Sequence, residues 1–279
     1  CNEMDHVIVP STFTKNVIMR SGIPSTPVSV VPEWFNHDIL DEKESLQIIK
    51  NDERYDFDTD FNILIIGQIT STKPEDDRKN LMNTIVWLCQ AFEGEEDVGI
   101  VIKANMGKGT ILDRKLTAQA LEKIVKSVRK KSSPKVYLIH GNMSSKEIAA
   151  LYNHDKIKCF VSATRGEGYG LPLIDSAAAG VPIVATNYSG HLEFLDAKYF
   201  YPVDYKSVKI NDSKVDNRIF FKGCRWAEPD RNSFISNVLE VKRNLEKAKT
   251  KSGIMAERIK NNYHKVQISK LYDNILNNL

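Results

Sequence analysis

The chain has 279 residues, 42% hydrophobic and 27% charged, the balance of a folded globular protein with room for one large domain or two small ones. Its net charge of +3 implies no strong nucleic-acid or membrane field, and the local cluster Lys123, Lys126, Arg129, Lys130, Lys131 and Lys135 reads as a solvated helix face. No apolar run approaches the ~18 residues of a membrane span, and nothing resembles a signal peptide. The four cysteines, Cys1, Cys89, Cys159 and Cys224, are far apart and form no C-x-x-C pair, so neither a zinc site nor a disulfide framework is expected. A reducing cytoplasm is the expected compartment.

The chain opens on Cys1 and runs directly into "HVIVPS", a helical "TFTKNVIMRSGI" and "PVSVVPEWFN", so a fragment of a longer protein is expected. Residues 1–40 are too few to carry a core alone and are expected to be the last strand and helix of a preceding domain. The acidic, polar residues 41–60 read as a linker or surface excursion. From residue 61, short apolar runs at 61–67, 97–103, 135–141, 157–163 and 181–186 alternate with helical patterns. Ser144 with Glu147 makes a capping box, and Pro172 suits a first helical turn. Runs apolar throughout belong to strands covered on both faces. The alternation predicts an α/β fold with a doubly wound parallel sheet of Rossmann type, occupying residues 61–250 together with its closing helices. Residues 231–249 and 252–277 read as two helices split at Ser252-Gly253.

The stretch "TRGEGYGLPLIDSAAAGVPIVAT", residues 164–186, carries the chemistry. A strand ending at Ala163, a loop with Gly166, Gly168 and Gly170, and a helix from Leu171 form an anion site at the carboxyl edge of a parallel sheet. Amides near Tyr169, Gly170 and Leu171 are expected to point at a phosphate. A carboxylate there would repel that phosphate, so Glu167 is expected to accept hydrogen bonds from neutral sugar hydroxyls beside it. Asp175, placed on the first turn of the next helix, is expected to accept from a ribose diol.

"EGYGLPLID" with "AAAGVPIVAT" resembles the E-x7-E signature of retaining, nucleotide-sugar-dependent glycosyltransferases of the GT-B fold, particularly family 4. "LIIGQ…DRKN", "IHGNMSSKEIAALYNHDKIKCFVSATRGEGYG" and "NYSGHLEFL" agree with that family in order and spacing, over about residues 60–205. The resemblance implies that Glu167 contacts the donor sugar and Lys79 the phosphates, and that Gly141, Asn142 and Met143 meet the nucleobase. It places Gly190 and His191 near the diphosphate. Asp175 replaces the family's second Glu, a methylene shorter, and Gln68 stands where many members carry an arginine. Lys103, at the end of the next strand, is the expected substitute for that charge.

The implied reaction is transfer from a nucleotide-diphosphate sugar to a glycan, lipid or protein acceptor, with Glu167 and Lys79 as the catalytic candidates. The rest of the site is expected from Gln68, Lys103, Gly141, Asn142, Met143, Gly168, Tyr169, Gly170, Leu171, Asp175 and His191. The carboxylate need not be a nucleophile, since preorganised cations and amides stabilise the leaving diphosphate. No permanent cofactor and no metal are expected, because "DTD" at 58–60 lies in the polar stretch before the sheet, and no nucleic-acid partner is expected. A non-catalytic nucleotide-sugar-binding or scaffolding domain is the rival reading, since Gln68 and Asp175 both depart from the family pattern. Residues 251–279, with apolar positions at Ile254, Ile259, Val266, Ile268, Leu271 and Ile275, are expected to pack back toward the amino-terminal domain. The basic residues Lys251, Arg258, Lys260 and Lys265 leave an anionic membrane as the other facing surface. A dinucleotide-binding enzyme is disfavoured because no G-x-G-x-x-G follows the first strand.

Overall fold

Strand β1 (Val7–Val9), helix α1 (Thr12–Ser21) and strand β2 (Val28–Val30) open the chain as a parallel β-α-β unit, in a computed structural model that describes every residue except Cys1, Ile23, Thr72 and Lys108. Helix α2 (Glu42–Asn51) follows. The main body then alternates β3 (Phe61–Gln68), α3 (Leu81–Ala91), β4 (Val98–Asn105), α4 (Ile111–Val128), β5 (Lys135–Ile139), α5 (Ser145–Asn153), β6 (Ile157–Ser162), α6 (Leu171–Ala178), β7 (Ile183–Thr186) and β8 (Tyr201–Val203). A hairpin of β9 (Tyr205–Lys209) and β10 (Arg225–Pro229) precedes the closing helices α7 (Arg231–Arg243), α8 (Leu245–Asn262) and α9 (Lys265–Leu276).

Six parallel strands form one sheet in the order β5-β4-β3-β6-β7-β8. The order of strand addition reverses between β3 and β6, so the crevice of this doubly wound sheet lies outside the carboxyl ends of those two strands. Ile63, Leu64 and Ile65 are all at most 4% exposed, which is why the run is apolar at every position rather than at alternate ones. Leu64, Val101 and Phe160 face a layer made by α5, α6, Phe35 and Ile259. Ile63, Ile65, Ile100 and Val161 face α3, α4 and α7. Successive strand residues point to opposite faces, so one run of Val and Ile feeds both cores.

Two expectations are corrected. Residues 41–60 are not an open linker: α2 is capped by the Asp41 carboxylate on the Glu44 N–H at 3.0 Å and packs on α5. Tyr55 and Phe57 behind it are 2% exposed, and the Tyr55 hydroxyl donates to the Glu147 carbonyl at 2.7 Å. The charge of this stretch lies on one face only, and Ile48, Ile49, Tyr55 and Phe57 form the other. At the carboxyl end there are three helices, broken at Asn244 and Tyr263 rather than at Ser252-Gly253. Ser252 is buried inside α8, where small side chains let that helix lie close on α6; an added Cβ on Gly180 would meet the Ala256 Cβ at 3.7 Å.

Candidate functional site

Both chemically charged segments of the sequence start at the reversal point of the sheet. The loop after β3 carries Arg78 and Lys79, and the loop after β6 carries Glu167 and its glycines. The first loop is shaped by Asp77, which is fully buried. Its carboxylate accepts from the Thr70 hydroxyl at 2.6 Å, from the Lys79 N–H at 3.2 Å and from the Leu81 N–H at 2.7 Å, closing the start of α3. Asn80 takes φ 53° there, a left-handed conformation that asparagine tolerates better than most residues.

Across the crevice, the Glu167 carboxylate accepts from the Lys79 Nζ at 2.7 Å and from the Thr164 hydroxyl at 3.0 Å, and pairs with the Arg78 guanidinium at 3.2 Å. Burial pushes its pKa upward, but the charges of Lys79 and Arg78 and the hydrogen bonds outweigh that, and the group stays below the ordinary carboxylate range. Its backbone is fixed from the far side: the Glu167 N–H donates to the Ser189 hydroxyl at 2.9 Å, and the Gly190 N–H donates to the Glu167 carbonyl at 2.9 Å. Ser189 holds φ 87°, an uncommon region for a residue with a Cβ, to make that contact.

The glycine loop runs against Gly190 so closely that an added Cβ there would fall 2.0 Å from the Gly168 carbonyl oxygen. Gly170 sits at φ 103° and starts α6, a conformation open to glycine. Among the described residues, the N–H groups of Tyr169, Gly170 and Leu171 donate to no protein acceptor. That leaves three adjacent donors at a helix start, the arrangement that binds anions. The Tyr169 ring itself is buried, with its hydroxyl donating to the Glu33 carbonyl at 2.8 Å.

The remaining expected site residues divide. Gln68 closes β3 and is exposed. Lys103 does not approach Glu167; its ammonium donates to the Gly141 carbonyl at 2.7 Å, and burial together with the Arg54 charge lowers its pKa. The second cation on Glu167 is Arg78. Gly141 holds φ 98°, Asn142 lies beside Gly109, and Met143 packs on the core edge. Helix α6 begins at Leu171 as expected, but Asp175 is then its fifth residue, past the first turn, which holds no acid. The Asp175 Oδ1 accepts from the Asn36 N–H at 2.8 Å, and burial raises its pKa to about 6. His191 is fully buried and kept neutral by desolvation; its Nε2 bonds the Thr186 carbonyl at 2.7 Å, and its Nδ1 has no partner among the described residues. The His140 side chain is buried and its Nε2 lies 2.7 Å from the Asp113 carboxylate.

Sequence reasoning missed Arg78, Thr164, Arg165 and Ser189. Arg78 was signalled by its place beside Lys79 in "DRKN". Arg165 carried no such signal: it is 2% exposed, forks onto Glu228 at 2.7 and 2.8 Å, and donates to the Pro74 and Asp77 carbonyls at 2.6 and 2.7 Å. It thereby ties the Lys79 turn, the glycine loop and β10 together. A cleft of about 450 Å³ opens beside Glu167, walled by α1 through Phe13 and Val17 and by the β9–β10 hairpin through Phe220 and Trp226. Among the described residues, no group of three or more His, Cys, Asp or Glu is placed to hold a metal ion.

Residues 106–203 match the family described as glycosyl transferases group 1. The whole chain overlays on HepE from Anabaena, solved with UDP and glucose, at a TM-score of 0.70 and 11% identity. It overlays equally fully on sucrose-phosphate synthase from Thermosynechococcus elongatus, at 0.64 and 14%. The chain has the fold of a GT-B donor domain. The carboxyl-terminal domain of a glycosyl transferase group 1 protein, LpcC, from Francisella tularensis shares it over 80% of this chain and 93% of that one, at a TM-score of 0.54 and 17% identity. This chain spans 65% of HepE and 60% of the sucrose-phosphate synthase. No curated protein matches the sequence. The GT-B donor domain is a Rossmann-like parallel sheet with carboxyl-terminal helices, the architecture found here, and it is shared by enzymes that use nucleotide sugars.

Proposed function

We propose that this chain supplies the donor site of a retaining glycosyl transfer from a nucleoside-diphosphate sugar. The observation that carries the reading is the Glu167 carboxylate held between Lys79, Arg78 and Thr164, next to the N–H groups of Tyr169, Gly170 and Leu171, which have no acceptor among the described residues. Two cations and a row of oriented amides suit a diphosphate whose charge grows as the glycosidic bond breaks, and preorganised donors of this kind are worth most in a dry cleft. When phosphates occupy the cations, Glu167 is released to accept from sugar hydroxyls. Gly141, Asn142 and Met143 sit at the carboxyl end of β5, where a nucleobase would lie, and Gly190 and His191 back the diphosphate. In this reading residues 61–250 form the donor unit. Residues 1–40 and 251–279 belong to the side facing the acceptor, which by the resemblance is a glycan, lipid or protein, and the scattered cysteines suit a reducing cytoplasm.

A second reading, binding without transfer, is favoured by Asp175, whose carboxylate is engaged by Asn36 instead of open to a ribose, and by the uncharged Gln68. Calorimetric titration with UDP, GDP and ADP tests the site. One nucleotide is expected to bind in the micromolar to submillimolar range, and Lys79→Ala or Arg78→Ala is expected to weaken it by about tenfold each, the loss of one charge-assisted contact. Absence of binding by all three would count against the site. Donor turnover with a panel of acceptors separates transfer from binding alone.

A further inference from the structure

The β9–β10 hairpin is an excursion between the last strand of the main sheet and α7, and its composition differs from the rest of the chain. Residues 205–225 hold Lys206, Lys209, Lys214, Arg218, Lys222 and Arg225 against only Asp212 and Asp216, a net +4 where the whole chain carries +3, so the remainder is slightly acidic. Among the described residues none of these six cations forms an ion pair; Lys214 lies over the Phe220 ring at 5.5 Å, and Arg225 bonds Ser207. A concentrated charge with no internal partner is a charge directed outward.

Apolar side chains are presented within the same loop. Ile219 is 70% exposed and Phe221 is 52% exposed, while Phe220 between them turns inward onto Trp226, with ring centroids 6.1 Å apart. The presentation is fixed by Asp216, whose Oδ1 accepts the N–H groups of Arg218, Ile219 and Phe220 at 2.9, 2.8 and 2.9 Å. Ser213 anchors the base of the loop on the buried Asp76 carboxylate, at 2.7 and 2.9 Å. Two large apolar groups are thus held in solvent by a hydrogen-bonded turn within a lysine-rich and arginine-rich loop, which is costly unless a partner covers them.

We propose that this hairpin docks on an anionic lipid membrane, inserting Ile219 and Phe221 at the headgroup boundary while Lys209 and Lys222 face lipid phosphates. Charge complementarity selects the occupant: the cations suit a surface of like anions, and the flanking apolar pair suits the acyl boundary beneath it, as for other basic amphipathic surfaces. Val17 of α1, 47% exposed, lines the same cleft as Ile219, so the docked face includes the mouth of the cleft beside Glu167. The inference rests on the hairpin alone and stands whether or not the cleft transfers sugar.

The test is co-sedimentation of the chain with vesicles of pure phosphatidylcholine and of phosphatidylcholine with 30 mol% phosphatidylglycerol (about one third anionic lipid, near the surface charge that recruits basic segments). Binding to the anionic vesicles and not to the neutral ones is expected, with release at high salt. Lys209→Glu/Lys222→Glu is expected to lower the partition coefficient about thirtyfold or more, from the worth of two lysines near such a surface. Ile219→Ser/Phe221→Ser is expected to lower it about tenfold or more. These positions are exposed, so melting temperature should not move; if a combined variant melts early, Lys222→Glu and Phe221→Ser singly carry the test. No binding to anionic vesicles, equal binding to neutral ones, or variants that bind as the native chain does would each overturn the proposal. Full retention by Ile219→Ser/Phe221→Ser would make the hairpin a plain polyanion site and overturn it as well.

Discussion

Glu167 and Asp175 are eight residues apart and titrate in opposite senses, because one carboxylate has two cations and the other has a single backbone N–H. Glu167, held below its ordinary value, contributes stability that is present above the ordinary carboxylate pKa and is lost as pH falls through its lowered folded value. Asp175, raised from 3.8 to about 6, does the reverse: the folded chain holds a proton that the unfolded chain has released, so stability falls as pH climbs from 3.8 to about 6. Asp175→Asn is therefore expected to raise stability at pH 7 by about 1–2 kcal/mol, and to make no difference below pH ~3.5, as read from urea unfolding at the two pH values. Glu167→Gln removes the partner of Lys79 and Arg78. It is expected to leave UDP binding unchanged or tighter and to abolish any preference for a UDP-sugar over UDP, measured calorimetrically; weaker UDP binding would contradict the role given to the two cations. Gly190→Ala is expected to displace the glycine loop, since the Gly168 carbonyl it would strike is backbone and cannot rotate away. A loss of about 3 kcal/mol and of nucleotide binding together is the expected outcome.

At the scale of elements, the glycine loop is braced by α1. Ser11 caps that helix through the Thr14 N–H at 3.1 Å and donates its hydroxyl to the Gly168 carbonyl at 2.6 Å; the Thr14 hydroxyl donates to the same carbonyl at 3.0 Å. Glu193 completes the brace by accepting from the Thr12 N–H at 2.7 Å. Ser11→Ala is expected to cost about 1–2 kcal/mol in thermal or urea unfolding, a lost cap and one of the two hydrogen bonds to the Gly168 carbonyl, and to weaken nucleotide binding with it. The capping box at Ser144 and Glu147 was legible because both halves lie within four residues, and it forms as read. The brace was not legible, because Ser11 and Gly168 are 157 residues apart and neither residue type announces the other. The β9–β10 hairpin escaped for a related reason: its β9 side chains are mostly exposed, so the stretch lacks the apolar run that marked the sheet strands.

Over the whole molecule, the segment after β2 enters the core of the main sheet through Phe35 and Ile39. Phe35 is fully buried in the same cluster as Leu64, Tyr169, Ile174 and Ile259, and it stacks on His37, whose Nε2 accepts the Lys265 N–H that opens α9. Phe35→Ala is expected to cost about 3–5 kcal/mol and to lower the midpoint of a single unfolding transition followed by far-ultraviolet dichroism. A separate early transition for residues 1–40 would show that the two parts fold independently. The sequence by itself determined the sheet, its parallel direction and the glycine loop with its acid. Those features are set by local periodicity, by backbone freedom at Gly166, Gly168 and Gly170, and by motifs contained in a few consecutive residues. Only the tertiary structure decided that Arg78 joins Lys79 on Glu167, that Lys103 turns to the Gly141 carbonyl, that Asp175 turns to Asn36, and that Arg165 locks three segments together. Each of those pairings joins segments distant along the chain, and the choice among several cations or acceptors is made by the position of the strand ends that carry them.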